Sequence, residues 1–154
     1  MSRRQTGPTR WLILDSAAEV DVRKLLCGLP HGTGVLVINP PAPNELLKLR
    51  RSARSRDLSL VTEHRRIARR VHDIGELRSA LLARVQLIFL SPIYRTATHS
   101  DWRAIPRMRA AAMTRLAGRN ILAVGGMDER RFRHVRPLGF LGWAGVSAWK
   151  RPKS

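Results

Sequence analysis

The sequence predicts an α/β domain in which strands and helices alternate and the strands run parallel. Two observations carry this. Short continuous apolar runs, rich in β-branched residues and bounded by Gly, Pro or Asn, recur along the chain, and stretches with apolar residues at helical spacing lie between them. Unbroken apolar runs mark strands buried on both faces, and parallel neighbours need a crossover because no tight hairpin can join them.

Trp11-Leu12-Ile13-Leu14-Asp15 is the first such run, followed by a helix from about Val20 to Cys27 that Gly28 and Pro30 stop. Val35-Leu36-Val37-Ile38 is the second strand, framed by Gly32 and Gly34 before it and Asn39-Pro40-Pro41 after it. After Pro43-Asn44, Leu46, Leu49 and Ala53 fall on one face of a helix, and Leu58 to Val61 is the third strand. The charged stretch from Thr62 to Arg70 reads as one helical turn leading to a short strand around Arg70-Val71-His72. Asp73 followed three residues later by Glu76 starts a capping-box helix, with Leu77, Ala80 and Leu81 inward.

Val85 to Leu90 is the next strand, and a helix is expected over Ser100 to Leu116, with Pro106 near its first turn and Ile105, Met108, Ala112 and Leu116 inward. Asn120 to Val124 forms a strand closed by Gly125-Gly126; Asp128 caps a short helix to about Val135; Gly142 to Val146 is the last strand. The total is seven strands.

The 154 residues, 44% of them apolar, suffice for one domain with its own core, expected over 11–149 between a flexible segment 1–10 and a basic tail 150–154. No apolar stretch approaches membrane-spanning length and no signal-peptide core follows Met1, so a soluble cytoplasmic protein is expected. Cys27 is the only cysteine, which excludes an internal disulfide and a multi-cysteine zinc site and reads as a small core residue. Lys and Arg number 29 against 11 acids, a net charge of +18 that attracts phosphorylated molecules or nucleic acid. The excess is nearly all Arg, placed on exposed helix faces, and aromatics are only 5%, too few for base-stacking platforms. Nucleic acid is therefore the less favoured partner.

Alternating elements of this kind build either a (β/α) barrel or an open doubly wound sheet, and both place function in loops at the C-terminal ends of the strands. Three segments lie there. Ser91-Pro92-Ile93-Tyr94-Arg95-Thr96-Ala97-Thr98-His99-Ser100-Asp101 supplies hydroxyls and cations after the fifth strand. Val124-Gly125-Gly126-Met127-Asp128 supplies a turn whose amides can approach an anion. Gly145-Val146-Ser147-Ala148 closes the last strand. His64 and His134 read as surface residues and His31 as a loop residue, whereas His72 stands at a strand end.

These segments resemble the thiamine phosphate synthase family. Ser91 to Thr98 is similar to its Gly-Pro-[Ile/Val]-[Tyr/Phe]-Pro-Thr-x-Thr-Lys loop, Ala123 to Met127 to its Ile-Gly-Gly-Ile turn, Gly145 to Ala148 to its Ile-Ser-Ala end, and Val71-His72 to its Ser-x-His strand end. The resemblance covers about Val71 to Trp149. It implies a TIM-barrel-like (β/α) fold with parallel strands, here seven with one β/α unit missing.

The family includes the synthases, which join hydroxymethylpyrimidine pyrophosphate to thiazole phosphate with Mg²⁺, and TenI-type proteins that act on the thiazole. The resemblance implies a phosphorylated small molecule, thiazole phosphate or thiamine phosphate, held by Thr96, Thr98, Gly125, Gly126, Val146 and Ser147. It adds His72, Arg95 and His99 as substrate contacts, and Mg²⁺ as cofactor if the chain is catalytic. The family's Asn-Asp metal motif is matched only loosely, by Thr62-Glu63, which leaves Glu63 as its one metal candidate. His99 replaces the loop lysine, Arg95 replaces a proline, and Val37-Ile38-Asn39-Pro40-Pro41 stands where the family has Gln-x-Arg-x-Lys. No residue is assigned as catalytic. The alternative is a catalytically degenerate barrel that binds nucleic acid or an acidic partner through its Arg-rich surface; a homo-oligomer is compatible with either.

Overall fold

The computed structural model describes residues 7–18, 21–97, 99–118 and 120–146. Seven strands form one sheet: β1 (Arg10–Asp15), β2 (Gly34–Ile38), β3 (Ser59–Thr62), β4 (Ala68–Val71), β5 (Leu87–Leu90), β6 (Ile121–Val124) and β7 (Gly142–Gly145). The order is β3-β2-β1-β7-β6-β5-β4, and every neighbouring pair is parallel. Among the described residues five α-helices lie between them, α1 (Val22–Cys27), α2 (Pro43–Arg54), α3 (Ile74–Leu82), α4 (Arg107–Ala117) and α5 (Glu129–Val135), with a 3-10 turn at Arg136–Leu138 before β7.

The apolar side chains separate into inner and outer layers, as strand pleating requires. One cluster draws on all seven strands: Trp11, Ile13, Leu36, Ala68, Phe89, Leu122, Val124 and Ala144, with Ile38, Val61 and Leu87 against it. Only the inside of a curled sheet lets residues from every strand meet. The intervening positions face outward. Leu12, Leu14, Val35 and Val37 pack with Leu26 of α1 and Ala53 of α2, while Val71, Ile88, Leu90, Ile121, Ala123 and Trp143 meet Leu77 of α3, Met113 of α4 and Phe132 of α5. The fold is thus a nearly closed TIM-barrel-like α/β fold.

The inside is filled mainly by Trp11, 1% exposed, whose indole meets the Phe89 ring edge-on at 5.6 Å. Its indole N–H donates to Pro8 O at 2.8 Å. Gly34 makes room for that ring, since a Cβ there would run into it. Trp143 N–H donates to Thr9 O, so residues 8–10 belong to the barrel floor and β1 begins one residue before the predicted strand.

The barrel is incomplete between β3 and β4, which are not paired. Only residues 63–67 join them, too few for a crossover helix. The predicted helical turn is instead a reversal in which His64 N–H donates to Ala68 O and Ala68 N–H to His64 O, an isolated antiparallel bridge. The seam between β3 and β4 is the place of the missing β/α unit.

Two further expectations change. Cys27 is exposed and Leu26 is the buried residue of α1. α4 starts at Arg107, with Pro106 as its N-cap, and turns Ala110, Met113 and Thr114 inward; Met108 is 81% and Leu116 49% exposed, and Ala112 is exposed too. Both sets of residues satisfy helical spacing, and contact with α3 and the sheet selects between them.

Candidate functional site

All strands run in one direction, so their C-terminal ends and the loops after them share one rim. On the β5–β7 side the sequence builds a tight turn. Gly125 and Gly126 both have positive φ, +98° and +59°, which glycine adopts without strain. The loop after β5 lies directly on this turn. Ile93 N–H donates to Val124 O at 2.8 Å and Tyr94 N–H to Gly125 O at 3.1 Å. A Cβ at Gly125 would stand 2.8 Å from Pro92 Cα, and one at Gly126 would stand 2.9 Å from Arg95 O. Both glycines thus serve close approach of two loops.

Cations stand at this turn. Arg131, on the first turn of α5, donates from Nη1 to Gly126 O at 2.6 Å, and its guanidinium lies 5.2 Å from the Tyr94 ring centroid. Asp128 caps α5 by accepting from Arg131 N–H at 2.7 Å, which orients that helix toward the rim. Arg95 donates to Ser100 O at 3.2 Å, bracing its own loop.

Thr96 is half-buried beside the turn, and its hydroxyl oxygen accepts His99 N–H at 3.1 Å. His99 stacks on Trp102 at 4.4 Å, and His72 meets the same indole edge-on at 5.0 Å. One carboxylate oxygen of Glu76 accepts from His72 N–H at 2.7 Å and lies 3.1 Å from its Nδ1, while Glu76 N–H donates to Asp73. Asp73 thus caps α3 as expected, but the Glu76 carboxylate reaches back to His72 rather than to the N-cap amide, and His72 in turn ties the end of β4 to the loop after β5 through Trp102.

The structure therefore gathers Thr96, Arg95, Gly125 and Gly126, and brings His72 and His99 both against Trp102. Val146 follows β7 on the same rim, 48% exposed. Thr98 and Ser147 lie outside the described residues. Glu63 lies at the seam: Arg70 grips it with two bonds, Nε to Oε1 at 2.8 Å and Nη2 to Oε2 at 3.1 Å.

Three contributors gave no sequence signal of their own. In sequence Arg131 is one more surface arginine, Arg70 is part of a charged run, and Trp102 falls within the helix expected over Ser100 to Leu116, whereas the observed helix starts at Arg107. Asp15 also faces this mouth, on the inner parity of Trp11 and Ile13. Its carboxyl is held below the ordinary carboxylate range by the Ala17 N–H, then the Asn39 amide, with a further pull from Arg70.

A nearly closed parallel barrel with a glycine turn and cations at the C-terminal rim defines the class: a TIM-barrel-like α/β protein. No family model matches the sequence, and no curated protein matches it. Among solved structures it is similar to a thiamine phosphate pyrophosphorylase from Pyrococcus furiosus, with a TM-score of 0.69 and 17% identity over 91% of this chain and 86% of that one. A thiamine phosphate pyrophosphorylase from Bacteroides thetaiotaomicron aligns with a TM-score of 0.60 and 17% identity, over 96% and 87%. A native KDPGal structure aligns with a TM-score of 0.57 and 12% identity, over 94% and 85%. At these identities the likeness establishes the fold.

Proposed function

We propose that this chain is a thiamine phosphate synthase-like protein that binds a phosphorylated thiazole or thiamine phosphate at the β5–β7 rim. The observation that carries it is the Gly125–Gly126 turn, packed without room for a Cβ against the loop of Arg95 and Thr96. The backbone amides of the turn, the Thr96 hydroxyl and the guanidinium groups of Arg95 and Arg131 give this side the donors that a phosphate needs. The resemblance assigns Val146, Ser147 and Thr98 to the same ligand. The likeness to two thiamine phosphate pyrophosphorylase structures supports the choice of ligand.

Calorimetry with thiazole phosphate and thiamine phosphate tests this. Wild type binds one of them, and Gly126→Asp, which adds a carboxylate to the turn, abolishes the heat. Thr96→Val, which leaves the turn intact, weakens binding about tenfold, the worth of one hydrogen bond to a charged group. No heat from wild type at millimolar ligand rejects the reading. Coupling to hydroxymethylpyrimidine pyrophosphate is a separate step, tested by incubating both substrates with the protein and assaying for thiamine phosphate.

A second reading rests on α2, where Lys48, Arg50, Arg51 and Arg54 are all exposed and only Lys48 has an acidic partner, Glu45. Such a face suits a nucleic acid backbone or another acidic partner. Affinity for random-sequence DNA that falls steeply with salt supports it, and no binding at low salt rejects it.

A further inference from the structure

The resemblance that suggests a phosphate ligand also implies Mg²⁺, and the donor set at the barrel mouth does not fit it. Among the described residues no three His, Cys, Asp or Glu side chains gather as a metal site. Glu63, the metal candidate, has both oxygens bonded to Arg70. A divalent ion at that carboxylate would lie against a guanidinium of like charge.

The position of Arg70 follows from strand parity. Ala68 belongs to the inner cluster and Val71 to the outer one, so Arg70, two residues from Ala68, points inward near the C-terminal end of β4. Val61 packs on the inner cluster and Glu63, two residues on, shares its side. The short 63–67 connection and the His64–Ala68 bridge bring these two inward residues together across the seam. Loss of the β/α unit has thus put a guanidinium at the mouth. Arg70 side-chain exposure is 37%, so the group is accessible from the mouth. Glu63 uses only two of its N–H directions, and a guanidinium offers five.

We infer that Arg70 is a resident cation that takes the place of a divalent metal at this mouth, so that the chain binds a phosphoanion without metal. The ligand class that follows is a phosphate monoester rather than a metal-chelated diphosphate. The inference rests on the phosphate reading for its ligand but not for its test, because the probe is Mn²⁺ alone.

Mn²⁺ binding is followed by electron paramagnetic resonance on the full chain, with a thermal melt of each variant to show that it is folded. Wild type is expected to bind no Mn²⁺ at millimolar concentration. Arg70→Met, which releases the Glu63 carboxylate, is expected to bind at least tenfold more tightly, and Arg70→Lys, which keeps the charge, to behave as wild type. Sub-millimolar Mn²⁺ binding by wild type that Glu63→Gln removes would overturn the inference, as would equal affinities of wild type and Arg70→Met. Repeating the phosphate-ligand calorimetry with EDTA and with Mg²⁺ separates the two ideas. Binding that requires Mg²⁺ overturns the resident cation and leaves the phosphate reading standing; no ligand binding in either condition rejects the phosphate reading alone.

Discussion

The two sides of the barrel handle closeness differently. On the β1–β4 side, Gly34 makes room for a side chain, and Trp11 fills the interior behind it. On the β5–β7 side, Gly125 and Gly126 make room for backbone, and the loop after β5 closes onto them. A site for an anion is better made of backbone amides and short hydroxyls, because they are positioned by the fold rather than by flexible side chains. The β1–β4 side has lost a β/α unit and closes its seam with Arg70 and Glu63, a pair of side chains. The difference shows that this chain positions backbone at the glycine turn and relies on paired side chains at the seam.

The largest test removes the filler of the interior. Trp11→Ala is expected to cost about 3–5 kcal/mol, since the indole is fully buried and its neighbours come from several strands. Urea unfolding measures this, and a loss under about 1 kcal/mol would mean that the interior collapses easily.

Next, Gly125→Ala should cost about 1–3 kcal/mol, because positive φ and the Pro92 backbone both oppose a Cβ. Gly34→Ala should cost a similar amount, about 1–3 kcal/mol, through overpacking against Trp11. The two differ in ligand binding: Gly125→Ala weakens it and Gly34→Ala does not. Equal ligand affinities in the two variants would erase the contrast between the sides.

A smaller effect is expected at the seam. Glu63 and Arg70 side chains are 30% and 37% exposed, so a double-mutant cycle to Ala should give a coupling of about 1 kcal/mol or less. A much larger coupling would make the seam as well determined as the glycine turn.

The smallest effect concerns pH. The Asp15 carboxyl titrates below its ordinary value of 3.8 in the fold. Its contribution is therefore fully present above that value and is lost as pH falls through the lower folded pKa. Asp15→Asn should be less stable than wild type near pH 6, and the gap should narrow toward pH 2. A gap that is constant across that range would show that the charge of Asp15 contributes nothing.

Most strand positions were readable because β1, β2, β5 and β6 are buried on both faces and write unbroken apolar runs, whereas β4, Ala68-Arg69-Arg70-Val71, carries two arginines and starts earlier than the strand expected around 70–72. The glycine turn was readable for a similar local reason: two adjacent glycines after a strand mark backbone that needs left-handed φ. The phase of α4 was not, because Met108, Ala112 and Leu116 share helical spacing as well as Ala110, Met113 and Ala117 do. Nor was the roll of α1, where Leu26 and Cys27 are both apolar neighbours and only one faces the sheet.

By itself, then, the sequence determined the α/β alternation, the count of seven strands, the capping of α3 and α5, and the glycine turn, all properties of periodicity or backbone preference over a few residues. Only tertiary structure decided that Arg131 folds over Tyr94, that Trp102 meets two histidines, and that Arg70 closes the seam on Glu63. Those contacts depend on where strands far apart in the chain end around one rim, and a run of arginines in sequence carries no information about which of them the fold turns inward.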